Sequence, residues 1–212
     1  MFTDRADAGE QLADELVTRG TEADLVLGIP RGGLPVARPV AERLGAPLDI
    51  VVAKKITLPD NQEYAIGAVT AGGEAWYDTA VVGRLGVEEP QLDVQEQQAR
   101  DRAREKEAAF RDGRPAPEFE DKRVVIVDDG IATGATMRAC VRALVEAGAS
   151  RVIVAVPVAS PSSVQELHLE ADEVVALQTP ESFRAVGQFY RDFGQVSTAE
   201  AVEYLEQTST AE

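Results

Sequence analysis

Two adjacent carboxylates, Asp128 and Asp129, follow the β-branched run Val124-Val125-Ile126-Val127 and precede Gly130-Ile131-Ala132-Thr133-Gly134-Ala135-Thr136. Four such residues without polar alternation suit a strand covered on both faces, as in a parallel sheet. The acids then fall at the strand's carboxyl end, where open α/β sheets hold their ligands. Gly130, Thr133, Gly134 and Thr136 make a turn that opens a helix, so backbone N–H groups and two hydroxyls converge where the helix dipole favours an anion. A phosphate fits that turn, and sugar hydroxyls or a metal-bound ligand fit beside the carboxylates. The residues leave one alternative open, a strand-turn-helix junction of another nucleotide fold whose acids only cap a helix. A Walker loop is excluded because no Gly-Lys-Ser/Thr is present, and a dinucleotide fingerprint would need its glycines after an early strand without the acid pair.

These residues need a sheet to position them, and the chain supplies strands alternating with helical segments. Ala8, Leu12, Leu16 and Val17 recur at helical spacing near residues 5–19, ended by Gly20. Asp24–Ile29 is a short apolar strand that turns through Pro30-Arg31-Gly32-Gly33 into a helix reaching about Leu44, with Gly45 as its stop. Leu48–Ala53 is a second buried strand running directly into Lys54-Lys55, half of the chain's four lysines. Tyr64–Val69 and Glu74–Tyr77 flank Ala71-Gly72-Gly73 in the pattern of a hairpin outside the parallel core. Val87–Arg111 is so highly charged that a long exposed or partner-contacting helix is expected, ended by Gly113–Pro117. After the acid pair, Met137, Cys140, Val141, Leu144 and Val145 form an apolar stripe facing the sheet. Arg151–Val156, Pro161–Glu170 and Glu173–Leu177 complete a strand, a helix and a last core strand. The expected architecture is an open parallel α/β sheet with flanking helices and right-handed crossovers.

A chain of 212 residues with 44% hydrophobic content can bury a sizeable core in one domain. The formal charge of -16 repels nucleic acid backbones and anionic membranes, and no basic patch offsets it. One cysteine, Cys140, excludes an intrachain disulfide and a multi-thiolate metal site, and its position in the apolar stripe makes it a packing residue. The only histidine, His168, lies among Glu and Leu residues and is expected to be a solvated helix residue. No apolar segment approaches the roughly 20 residues that span a bilayer, and no basic region precedes an apolar run at the N-terminus, so a soluble cytoplasmic protein is expected.

The segment Val124–Thr136 resembles the PRPP-binding motif of type I phosphoribosyltransferases, where PRPP is 5-phosphoribosyl-1-pyrophosphate. The resemblance implies that Gly130, Ala132, Thr133, Gly134, Ala135 and Thr136 bind the 5′-phosphate, and that Asp128 and Asp129 contact the ribose hydroxyls. Gly28–Gly33 is similar to the family's pyrophosphate loop, often built on a non-proline cis peptide, which assigns Arg31 and Gly32 to the leaving group; read alone, it is a glycine turn at a helix start. Lys54-Lys55-Ile56-Thr57-Leu58-Pro59 with Glu63-Tyr64 resembles elements of adenine phosphoribosyltransferases, although the spacing is shorter. It implies pyrophosphate contacts for Lys54 and Lys55 and lid or proton-donor roles for Glu63 and Tyr64, in a loop between residues 56 and 75 that closes over the site. Without it, the lysines are a solvated pair and Glu63-Tyr64 stabilise a hairpin.

Phosphoribosyltransferases acting on 6-oxopurines carry an Asp where this chain has Ala132, which counts against that subclass. Phe183–Phe193 nevertheless resembles their base-binding segment, with an inserted residue, and implies acceptor contacts for Phe183, Val186 and Asp192; a loop whose aromatics close the core edge is the alternative. The resemblance covers about residues 24–177. It implies one domain over 1–212, with a lid, hairpin and charged helix at about 56–111 and a C-terminal hood at about 178–212. It further implies transfer of the phosphoribosyl group to a small-molecule nitrogenous base, Mg²⁺ held mainly through PRPP rather than by protein ligands, and a homodimer. A binding protein that keeps the PRPP pocket as a metabolite sensor without transfer is the alternative function.

Overall fold

The computed structural model describes residues 1–58, 61–73, 75–87, 89–111 and 113–206, without the side chains of residues 61–64. The chain opens with α1 (Arg5–Thr18), β1 (Leu25–Gly28), α2 (Gly33–Leu44) and β2 (Leu48–Ile50). It then forms β3 (Ala53–Leu58), β4 (Asn61–Thr70), β5 (Trp76–Tyr77), α3 (Thr79–Leu85) and α4 (Glu89–Arg111). It continues through β6 (Arg123–Val127), α5 (Ala135–Glu146), β7 (Arg151–Val158), α6 (Pro161–Leu167) and β8 (Glu173–Gln178). A 3-10 turn at Val186–Phe189 and α7 (Thr198–Glu206) close it.

Five strands pair in the order β2-β1-β6-β7-β8, each neighbouring pair parallel. The order reverses between β1 and β6, whose registers match Val26 with Val125 and Gly28 with Val127. A reversal of this kind opens a crevice outside the strands' carboxyl ends, so the loops after β1 and β6 border one cleft. Burial on both faces explains the unbroken apolar strands. Val125 and Val127 pack with Leu12, Leu34 and Val36 from α1 and α2, whereas Val124 and Ile126 pack with Met137, Cys140 and Leu144 from α5. Burial pushes the Cys140 thiol far up, which leaves it an inert packing group. Two expected stripe residues face solvent instead: Val17 is 47% and Val145 52% exposed, each one position past a fully buried leucine and rotated about 100° off the stripe.

A second, antiparallel sheet of β3-β4-β5 stands beside the first. The single strand expected over Leu48–Ala53 is therefore two: β2 ends at Ile50, Val51-Val52 cross over, and Ala53 begins the new sheet. Apolar β-branched residues fill both pieces, so the pattern holds no signal for the change of sheet. Lys54 and Lys55 lie within β3, opposite Val69 and Ala68 of β4, rather than in a loop.

The charged helix also differs from expectation, because α4 is neither free nor wholly exposed. It buries Ala99 against Ile56, Ile66 and Val69, and sinks Ala103 and Phe110 into the main core. Arg100 donates to the Gly73 carbonyl at 2.5 Å and pairs with Glu96, which accepts from the Tyr77 hydroxyl at 2.9 Å. Alanines and charged tethers hold this helix to the small sheet, so its apolar count understates its attachment. The core also extends beyond 24–177: α1 contributes Leu12 and Leu16, and α7 contributes Ala201 and Leu205.

Candidate active site

The loop after β1 lies directly against the acids that follow β6. Its Pro30–Arg31 peptide is cis. A Cβ on Gly32 would come within 2.1 Å of Asp129 Oδ2, and one on Gly33 within 2.7 Å of the Val127 carbonyl, so only hydrogen fits at either position. The glycines of the expected pyrophosphate loop are thus required by the approach of the acid pair.

Asp128 accepts the Asp129 N–H at 2.9 Å through its own side chain. Asp129 Oδ2 accepts from Arg5 Nε at 2.8 Å, and both side chains are largely buried. Burial pushes Asp128 well above the usual carboxylate range, and the neighbouring Asp129 charge adds to this. Burial also raises Asp129, against the opposing pull of Arg5. The two titrate as a pair that resists carrying two negative charges. Proton sharing and hydrogen bonding to hydroxyls are chemistry such a pair can do. Burial raises the Tyr190 hydroxyl, which donates to the Asp129 carbonyl at 2.6 Å and pins the backbone of the acid pair from above.

The turn after the acids has its own supports. Gly134 sits at φ +73° before the first turn of α5, in the left-handed region that favours glycine. Ser160 and Ser163, at the start of α6, both donate hydroxyl hydrogens to the Ala132 carbonyl at 2.8 Å. They hold that carbonyl toward α6, leaving the amide end of α5 on the other side of the turn, where a helix start can accept an anion. Thr133 is exposed, and Ala135 and Thr136 are half-buried at the helix start.

Of the expected cations, Arg31 is exposed and Lys54 is half-buried. Lys55 is exposed, and as the next residue of the strand it points to the opposite face, so the structure does not bring it to the site. Lys106 of α4 takes a place the sequence did not reveal: its Nζ donates to the Pro30 carbonyl at 2.6 Å. The side chains of Glu63 and Tyr64, and Pro59 altogether, lie outside the described residues.

An open crevice of about 430 Å³ is lined by Arg5, Arg31, Gly32, Asp129, Val186 and Phe193, among others. Val186 presses on the turn after the acids so closely that a Cβ on Gly130 would meet it at 2.7 Å. Arg5 lies 3.8 Å over the Phe193 ring and donates to the Gly194 carbonyl at 2.8 Å. Of the three residues expected at the acceptor, Val186 lines the crevice, Phe183 stacks on Phe189 at 5.3 Å, and Asp192 borders an adjoining pocket of about 290 Å³ that shares Arg5 with it. Phe193 also lines the crevice. A further cavity, about 540 Å³ between Val51-Val52, Phe119 and α5, lies apart from the acid pair.

Arg5, Lys106, Tyr190, Phe193, Ser160 and Ser163 were all missed as site residues. Arg5 and Tyr190 carry no local motif, since tertiary packing alone brings α1 and the C-terminal segment together through Phe2 and Tyr190. The Ser160-Pro161 pair did signal a helix start.

A family model for the phosphoribosyl transferase domain matches residues 2–193, and the chain belongs to that family. It is 41% identical over 206 residues to a Mycobacterium tuberculosis protein carrying a provisional phosphoribosyl transferase name, covering 97% of this chain and 46% of the relative. The chain thus spans just under half the length of the curated relatives it matches first. The crystal structure of the protein TT1426 from Thermus thermophilus superposes with a TM-score of 0.85 at 42% identity, covering 98% of each chain. A Mycobacterium bovis amidophosphoribosyltransferase is 31% identical over 157 residues, covering 74% of this chain and 22% of its own.

Among the described residues, no cluster of three or more His, Cys, Asp or Glu side chains could cage a metal ion, and no helix is long and apolar enough to cross a membrane. Asp128 and Asp129 do offer the hard oxygen donors that Mg²⁺ accepts, in a pair suited to a metal that shares its coordination with phosphates.

Proposed function

We propose that this chain transfers a 5-phosphoribosyl group from PRPP to a nitrogenous base and releases pyrophosphate. The observation that carries this reading is the convergence at one switch point of a buried acid pair, an anion-binding turn and a cationic glycine loop. The turn at Gly130–Thr136 binds the 5′-phosphate through the amides of α5 and the hydroxyls of Thr133 and Thr136. Asp128 and Asp129 hydrogen-bond the ribose hydroxyls and place negative charge beside the electron-poor ring.

The C1–oxygen bond breaks with its electron pair leaving on pyrophosphate, and the acceptor nitrogen's lone pair forms the new C1–N bond. The acceptor's N–H proton leaves with the departing pyrophosphate, whose oxygens can accept it. Arg31 and Lys54 stabilise charge growing on the leaving group, and Gly32 lets the loop backbone approach it. Mg²⁺ carried mainly by PRPP would supply further neutralisation of the leaving group, with Asp128 and Asp129 the side chains that would lie beside it. Val186 and Phe193 form the acceptor wall. The segment between residues 56 and 75 closes to exclude water from a sugar that would otherwise be hydrolysed. The active form is a cytoplasmic homodimer acting on small molecules.

Calorimetric titration of PRPP with Mg²⁺ into wild type and into Asp128→Ala/Asp129→Ala tests the site. Saturable binding lost in the double variant supports the reading, and no binding to wild type sinks it. Binding by wild type that never leads to pyrophosphate release would favour a metabolite sensor.

A further inference from the structure

We infer that Lys106, on a helix no motif connects to the site, is a leaving-group residue that binds pyrophosphate beside the β1 loop; this rests on the phosphoribosyl-transfer reading above. Its Nζ reaches across to the carbonyl of the cis peptide at Pro30, 76 residues away in sequence. Among the described residues, Arg31, Lys54 and Lys106 make no ion pair. Lys55 and Lys122 form none either, but they are exposed, whereas Lys54 and Lys106 are half-buried. Burial holds the Lys106 ammonium below the ordinary lysine range, and the nearby charges of Lys54 and Arg31 push it the same way, opposed by Asp128 and Cys140. Lys106, fixed at the Pro30 carbonyl within electrostatic reach of Lys54 and Arg31, adds a third cation to a site for a compact polyanion.

The elements carrying them give the site two jaws. Lys54 stands on β3 and Lys106 on α4, which packs on β3 and β4 through Ala99 and is tied to Gly73 by Arg100. These two cations therefore belong to one small sheet-and-helix layer, whereas Arg31 and the acid pair belong to the parallel sheet. Pyrophosphate between them is held from both layers, and Lys106 senses the leaving group but not the 5′-phosphate, which lies at the start of α5.

The test titrates pyrophosphate with Mg²⁺, and separately ribose 5-phosphate, into wild type, Lys106→Met and Lys106→Arg. Lys106→Met is expected to weaken pyrophosphate at least tenfold and leave ribose 5-phosphate within twofold. Lys106→Arg retains pyrophosphate affinity at neutral pH. Because wild-type Lys106 loses its proton below the ordinary lysine range, pyrophosphate affinity falls as pH rises toward 10 more steeply in wild type than in Lys106→Arg. Equal weakening of both ligands by Lys106→Met means a loop-building role and overturns the proposal, as does no effect on either. If Lys106→Met does not fold, the wild-type and Lys106→Arg pH profiles decide, and parallel profiles overturn it. Wild type binding neither ligand would sink the transfer reading itself, an outcome distinct from both.

Discussion

Asp128 is held in the folded state at a cost, because its raised pKa means that native burial opposes its charge. A carboxyl whose folded pKa exceeds its unfolded value near 4 contributes stability below that value and loses it as pH rises through the folded pKa. Asp128→Asn keeps an acceptor for the Asp129 N–H and removes the charge, so it is expected to raise Tm at pH 7 by about 2–4 °C, the shift of roughly 1 kcal/mol in a chain this size. The gain shrinks to nothing near pH 3, and a thermal melt at both pH values checks it. Gly32→Ala drives a methyl into Asp129 Oδ2 and must displace a carboxylate that Arg5 holds. It is expected to cost at least tenfold in PRPP affinity, measured by calorimetry, with the fold intact by circular dichroism. At this scale the sequence was informative wherever chemistry sits in a contiguous motif, as at Asp128, Asp129 and Gly134. Arg5 and Tyr190 lie more than sixty residues from the acid they touch, and nothing local to either encodes that contact.

The elements show why the parallel sheet was legible and the small sheet was not. Strands β1, β6 and β7 are covered on both faces and carry runs that report burial directly. At Val51-Val52 the same apolar character continues through a change of sheet, so periodicity had nothing to register. Helix α4 was misjudged because alanines and arginines attach it, with Phe110 as its one large buried anchor. Phe110→Ala is expected to destabilise the protein by about 3–5 kcal/mol, read by urea denaturation. Since that helix carries Lys106, the loss of order should also weaken pyrophosphate binding more than ribose 5-phosphate binding. Tyr190→Phe removes one buried hydroxyl donor to the acid pair's backbone and is expected to cost about 1 kcal/mol in the same assay.

The whole molecule carries a charge of -16, and like charges over one surface repel in the compact state more than in the unfolded chain. Raising NaCl from about 0.01 to 1 M shortens the screening length from about 30 to 3 Å, so Tm is expected to rise across that range. A fall would show that the arginine ion pairs outweigh the net repulsion. The family assignment and the parallel sheet, with the acid pair at the β1–β6 switch point, support the proposal of phosphoribosyl transfer. The measurement that meets this claim most directly is pyrophosphate release from PRPP and Mg²⁺ across a panel of purine and pyrimidine bases, with Asp128→Asn/Asp129→Asn as control. The account predicts release dependent on one base and lost in the control; binding of PRPP with no release for any base, or release indifferent to the acid pair, would contradict it.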